Sequence, residues 1–165
     1  MLCMVFIFWF SAQPSKESSA MSGKITEFAL SVFLPQYSSW DAGTQQTVYE
    51  FVETVVRKSA HFSIYGLLGF LTMFSASRFL RRRPWQIGAA FVVSVLYAAS
   101  DEFHQLFVTG RSGEFRDICI DASGALLGIL LMWLILAVAI RIGARRRLFS
   151  QAAVDSVRRE HFRGK

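Results

Sequence analysis

The sequence predicts an all-α integral membrane protein, a small bundle of about four transmembrane helices with short amphipathic helices on its outer side. Three observations carry this prediction. The 165 residues are 53% hydrophobic, the apolar residues are gathered in long blocks, and arginine clusters follow two of those blocks. Apolar blocks of about 17–25 residues match the roughly 30 Å hydrocarbon thickness of a bilayer.

The net charge of +6 indicates membrane topology rather than a nucleic-acid partner. Arginines cluster within residues 78–83 and 141–147, each time directly after an apolar block. Short flanks rich in Lys and Arg stay on the cytoplasmic side of a membrane. No aromatic–basic interleaving or base-reading module accompanies the charge. We therefore predict a multi-pass membrane protein that contacts lipid and binds no nucleic acid.

The predicted crossings are about 1–12, 59–77, 85–100 and 118–140, within a transmembrane domain of residues 1–147. The first is short, because twelve helical residues reach only about 18 Å. Residues 148–165 form a basic tail, placed in the cytoplasm. The arginine clusters make the second and fourth helices run from outside to inside, and the third returns.

The connection 13–57 contains two amphipathic stretches, predicted as short outer helices. Apolar residues follow the spacing i, i+3, i+4, i+7, i+8 within residues 25–33, and Pro35 stops the pattern. The same spacing returns within residues 48–56, where Thr47 and Glu50 fit a capping box. Such helices beside a crossing usually lie in the membrane interface or pack on the bundle.

Polar side chains interrupt one face of the second crossing and one face of the third. On the second, the spacing i, i+3, i+7 joins Lys58, His61 and Tyr65. On the third, a helix continuing through residue 105 presents a polar face made of Tyr97, Asp101, His104 and Gln105. Both faces lie at the outer end of the predicted bundle.

A stripe on the fourth crossing carries two carboxylates and then two glycines: Asp117, Asp121, Gly124 and Gly128. An aspartate at the centre of a crossing costs about 2.5–3.5 kcal/mol on insertion scales, and less near an interface. Asp121 should therefore face the bundle interior and find a partner among Arg111, Arg116, Lys58 and a protonated His61. Small residues on the same face allow close helix approach.

The three polar faces are predicted to converge at the outer end, where they have two interpretations. One is a buried polar network that holds short helices together. The other is a polar cavity open to the outer leaflet. The number and variety of the polar groups favour the cavity, because a network of salt bridges that only holds the helices together would need fewer polar groups.

The run YAASDEFHQLFVTGRSGEFRDICIDASGALLG, residues 97–128, resembles the signature of the VanZ-like membrane family. RKSAHFSIYGLLG (57–69) and FWFSAQP (8–14) resemble two further blocks of that family. The resemblance implies a multi-helix protein of the bacterial cytoplasmic membrane, and the family's namesake is associated with resistance to the lipoglycopeptide teicoplanin. Carried over by position, the polar signature falls on Lys58, His61, Asp101, Glu102, His104, Gln105, Arg111, Asp117 and Asp121. Gly124 and Gly128 carry the small-residue face, and the resemblance assigns no catalytic roles.

Several functions are compatible with this pattern. The first is binding or shielding of a lipid-linked or amphiphilic cell-envelope ligand, such as a lipoglycopeptide or a cell-wall precursor. The alternative is a membrane enzyme that acts on a lipid head group or cell-wall lipid precursor by acid/base chemistry. A transporter and a structural accessory also remain open, although no inverted repeat marks a transporter core. Paired metal-ligand motifs are missing from the sequence, so no metal or cofactor is predicted. The oligomeric state stays open.

Overall fold

The computed structural model describes the backbone of residues 2–13, 15–109 and 114–163, and the side chains in those ranges outside 15–19, 21 and 145–163. The element order is α1 (Leu2–Ser11), α2 (Ser15–Phe33), a 3₁₀ turn (Tyr37–Ser39), α3 (Ala42–Phe79), α4 (Arg83–Gln105) and α5 (Phe115–Arg163). These described ranges contain five α-helices and no strand. The all-α prediction is confirmed.

Among the described residues, one helix is both long enough and apolar enough by itself to cross a membrane. It is the part of α5 between Phe115 and Ala144. The apolar α1 has only 10 residues. The longer α3 and α4 carry polar side chains on the faces predicted above, which lowers their hydropathy. A bundle of about four crossings therefore stays a prediction.

The long helix α3 corrects the predicted organisation of the outer segment. The amphipathic stretch 48–56 lies in the first half of a 38-residue helix that continues without a break into the second predicted crossing. Its N-cap is Asp41, whose Oδ1 accepts the Thr44 backbone N–H at 3.1 Å. The predicted capping box is wrong, because Thr47 lies inside the helix and its hydroxyl donates to the Gly43 carbonyl at 3.0 Å. At 1.5 Å per residue α3 is about 57 Å long.

The other helix ends follow local sequence signals. The residue before a proline avoids helical geometry, and α2 ends at Phe33, just ahead of Leu34–Pro35. Pro84 occupies the first turn of α4, where its missing N–H is not needed. The α4 helix reaches Gln105, as its predicted polar face requires. By contrast, α5 continues through the arginine cluster to Arg163, so the predicted tail does not begin at a helix end.

Glycines let α3 and α5 approach backbone to backbone. A Cβ atom on Gly124 would overlap the Phe62 carbonyl, and one on Gly128 would overlap the Gly66 carbonyl. The reciprocal contact comes from α3, where a Cβ on Gly69 would meet the Ala125 carbonyl. Such small-residue contacts are the usual means of close helix packing in membranes.

The contacts also show how the helices run. Phe62 faces Gly124 and Gly66 faces Gly128, so α3 and α5 run in the same direction. The short connection 80–82 reverses the chain direction, and α4 packs against both α3 and α5. Ser94 of α4 lies within 3.3 Å of the Thr72 hydroxyl of α3. These relative directions are those that the predicted topology requires of its second, third and fourth helices.

Replacement of Gly128 by alanine is expected to destabilise the bundle, because the new methyl group meets backbone atoms that cannot rotate away. Overpacking of this kind costs about 1–3 kcal/mol or more. Gly88→Ala is the matched control, since nothing lies within 4 Å of a Cβ there. The thermal unfolding midpoint in detergent should fall for Gly128→Ala only. Equal midpoints for the two variants would show that the α3–α5 approach is looser than described.

Candidate functional site

Polar side chains from four helices meet at one end of the bundle. The end of α1, the middle of α3, the end of α4 and the start of α5 all contribute. The arginine cluster 78–83 and Arg141 lie towards the other end of these helices. Because α3 and α5 are parallel and in close contact, side chains on successive turns of α3 can pair with side chains on successive turns of α5.

Two pairs, each made of a basic side chain of α3 and an aspartate of α5, link the two helices. Lys58 forms an ion pair with Asp117, and both side chains are partly exposed. One turn further into the bundle, His61 Nδ1 lies 3.8 Å from Asp121 Oδ1. Asp121 is fully buried, and neither of its carboxylate oxygens has a hydrogen-bond partner among the described residues. Of the four partners expected for Asp121, the structure places His61 beside it.

The polar face of α4 is directed towards α1 as well as towards α3 and α5. The buried Asp101 Oδ2 accepts hydrogen bonds from Ser11 Oγ at 2.7 Å and from Gln105 Nε2 at 3.2 Å. His104 stacks on the Phe8 ring with centroids 4.5 Å apart. Nearer the middle of the bundle, the Tyr97 hydroxyl donates to the Met4 carbonyl. These contacts dock α1, and sequence spacing within α4 could not identify Ser11 as a partner.

Glu102 connects the end of α4 to the start of α5. Its side chain is buried, and Oε2 accepts the backbone N–H of Glu114 at 3.1 Å. Burial raises the pKa of Glu102, because desolvation disfavours the charged carboxylate. The Glu114 N–H acts in the opposite direction, and the charges of Asp117 and Asp121 raise the pKa further.

A polar cavity of about 380 Å³ opens between α3, the end of α4 and the start of α5. Five of the predicted residues line it: Lys58, His61, Gln105, Asp117 and Asp121. Two basic residues absent from the predicted set, Arg57 and Arg116, line it as well. Asp101, Glu102 and His104 do not line it, and they contact α1 or Glu114, the residue before α5. Arg111 lies outside the described residues.

An apolar cavity of about 330 Å³ lies between α1, α2 and α3. Its walls include Ile7, Ile25 and Ile64, one from each helix. Arg57 and His61 line both this cavity and the polar one. The two cavities therefore adjoin along one face of α3, with a polar compartment on one side and an apolar compartment on the other.

Among the described side chains, no three His, Cys, Asp or Glu residues come together as a metal ion would require. The groups that could take part in proton transfer are His61 with Asp121, and the groups that could hold an anion are Arg57 and Arg116. The site combines basic side chains with carboxylates that are buried or already paired.

A family model described as VanZ/LLP1 matches residues 1–136 of the chain. The chain belongs to the VanZ/LLP1 family. The match confirms the resemblance to VanZ-like proteins, and it includes α1 to α4 and most of the apolar part of α5. No curated protein and no solved structure matches this VanZ/LLP1 chain.

Sequence spacing within helices could have identified Arg57. It stands four residues before His61, so the two share a face of α3. Arg116 precedes Asp117 directly and lies at the first turn of α5. The predicted set of site residues lacks both, because it follows the polar signature carried over by the resemblance, although Arg116 is among the partners expected for Asp121.

Glu102→Gln is expected to become more stable relative to the natural chain as pH rises. The raised folded-state pKa means that the contribution of Glu102 to stability is complete at low pH and is lost as pH rises through that pKa. Glutamine keeps an oxygen for the Glu114 N–H and has no charge to bury. Thermal midpoints of both chains in detergent, from about pH 4 to about pH 8, measure the difference.

The exposed Glu27→Gln on α2 provides the control for a change of net charge alone. Its midpoint difference from the natural chain should vary less with pH than that of Glu102→Gln. A Glu102→Gln difference that stays constant across the range would contradict the burial of an ionisable carboxyl at this position.

Proposed function

We propose that this VanZ/LLP1 family member is a multi-pass protein of the bacterial cytoplasmic membrane that binds or shields a lipid-linked or amphiphilic cell-envelope ligand. One observation carries the proposal. The polar cavity and the apolar cavity adjoin along α3, where Arg57 and His61 belong to both. A ligand with a polar head and a hydrocarbon tail matches this pair of compartments in chemistry and in size, since small-molecule sites are about 300–1,000 Å³.

The proposed topology has four crossings, about 1–12, 59–77, 85–100 and 118–140, with both cavities on the outer side and the basic tail 148–165 in the cytoplasm. The arginines of 78–83 and Arg141 lie at the end of the bundle opposite the polar cavity, which supports this orientation. The polar contacts that dock α1 support its inclusion as a short first crossing.

Family membership supports an extension of this function to lipoglycopeptide resistance of the teicoplanin type. Lipoglycopeptides are amphiphiles that act outside the cytoplasmic membrane. A protein that binds the acyl chain in its apolar cavity would withdraw the drug, or would cover the lipid-linked precursor that the drug recognises.

The orientation can be checked by thiol labelling in a chain whose two cysteines, Cys3 and Cys119, are replaced by serine. Ser38→Cys in the exposed turn before α3 should react with a membrane-impermeant maleimide in intact cells. Gly143→Cys, exposed at the far end of the apolar part of α5, should react only after lysis. The reverse pattern would invert the proposed topology.

Ala60→Phe is expected to abolish ligand binding, because a phenyl ring at this position fills the apolar cavity. In a susceptible host, minimum inhibitory concentrations of a teicoplanin-type lipoglycopeptide should return to the empty-vector value. The minimum inhibitory concentration of a glycopeptide without an acyl group should be the same with the natural protein, with the variant and with the empty vector.

Ser63→Phe is the matched control, since Ser63 is exposed one turn along α3 and lines neither cavity. It should retain protection, and immunoblots of membranes should show equal amounts of both variants. Full protection by a well-expressed Ala60→Phe chain would exclude the apolar cavity as the ligand site.

One observation favours the alternative of a membrane enzyme acting on a lipid head group or cell-wall lipid precursor. His61 lies beside the buried Asp121 on the wall of the polar cavity, an arrangement in which a carboxylate can orient a general base. The test is whether the purified protein releases phosphate or a free head group from lipid phosphates. Activity that is lost in His61→Asn would show that the protein is an enzyme rather than a binding protein.

A further inference from the structure

The polar cavity contains basic side chains with carboxylate partners and basic side chains without them. Lys58 is paired with Asp117, and His61 lies beside Asp121. The side chains of Arg57 and Arg116 have no ion pair or hydrogen bond with any described residue. Both are exposed, one from α3 and one from α5, at the cavity that the two helices share.

The carboxylates around the cavity do not compete strongly for these two arginines. Asp117 is held by Lys58, and Asp121 is fully buried beside His61. Glu102 is buried and accepts a backbone N–H of Glu114. The side chain of Glu114 also lines the cavity and is exposed. Two exposed arginine side chains thus line a cavity at which the carboxylates of Asp117, Asp121 and Glu102 are paired or buried.

The position of Arg57 connects charge to apolar surface. Arg57 lines the apolar cavity between α1, α2 and α3 as well as the polar one. An anion bound to its guanidinium lies at the junction of the two compartments, and a chain attached to that anion can extend along Ile25 and Ile64. Guanidinium groups bind phosphate oxygens through paired, charge-assisted hydrogen bonds.

We propose that the ligand is an anionic amphiphile, a phosphate ester of a hydrocarbon chain, whose phosphate is bound by Arg57 and Arg116 and whose chain occupies the apolar cavity. This inference rests on the proposed function and specifies the chemical class of its ligand. Lys58 is excluded from the main phosphate contact because Asp117 already engages it. The arginines provide selectivity for the charged head, and the apolar cavity holds the chain whatever its head group.

The test uses the full chain in phosphatidylcholine nanodiscs and three probes: farnesyl phosphate, farnesol and inorganic phosphate. Equilibrium binding of radiolabelled farnesyl phosphate is measured with the other two as competitors. The natural chain should bind farnesyl phosphate about tenfold to a hundredfold more tightly than farnesol, as expected for hydrogen bonds to a charged group. Inorganic phosphate should compete weakly, because it has no chain for the apolar cavity.

The variant Arg57→Gln/Arg116→Gln should bring the two affinities close to each other, mainly by weakening the binding of farnesyl phosphate. Lys24→Gln/Arg141→Gln removes the same charge from exposed sites outside both cavities and should retain the preference for phosphate. Arg57→Lys/Arg116→Lys keeps the charge without the planar fork and should give an intermediate preference. Thermal midpoints of all variants verify folding.

The outcomes separate this inference from the function on which it rests. A natural chain that binds farnesol and farnesyl phosphate equally, or an Arg57→Gln/Arg116→Gln chain that keeps the preference, overturns the phosphate site and leaves the amphiphile function intact. Competition by inorganic phosphate as strong as by farnesyl phosphate overturns the role of the hydrocarbon chain. Failure of the natural chain to bind either farnesyl compound overturns both proposals.

Discussion

The close approach of α3 and α5 is the constraint on which the polar cavity depends. Gly124 and Gly128 bring the two backbones into contact over about one turn, and the parallel direction of the helices keeps the contact in register. About one turn from Gly124, towards the start of α5, the same register sets His61 against Asp121, and one turn further it sets Lys58 against Asp117. A wider spacing would separate these pairs, because neither aspartate has a long side chain with which to follow its partner.

The end of α4 makes polar contacts with two different parts of the structure. Glu102 binds the backbone ahead of α5, while Asp101 binds Ser11 of α1. Consecutive carboxylates point to different helices because successive residues on a helix are separated by about 100°. The position of α1 therefore follows from specific polar contacts at its end, in addition to apolar packing of Ile7 against Tyr65, Leu68 and Ala98.

Residue spacing predicts the all-α fold and the faces on which the polar side chains lie, because both properties are encoded within single helices. Interhelical partners are not encoded there: the pairing of Asp121 with His61, rather than with Lys58 or Arg116, depends on the register between Gly66 and Gly128. The prediction of a separate short outer helix over residues 48–56 was wrong for a related reason. Periodicity shows which face is apolar, and no glycine or proline interrupts the chain between Val56 and Ser59 to end a helix.

The uninterrupted course of α3 has a geometric consequence for the ligand site. At about 57 Å the helix is nearly twice as long as the hydrocarbon layer is thick. In the proposed topology a single continuous helix thus crosses the membrane and forms one wall of each of the two cavities. The depth of the cavities relative to the lipid head groups is then set by the insertion of α3 itself, so a tilt of this helix raises or lowers the site as a whole.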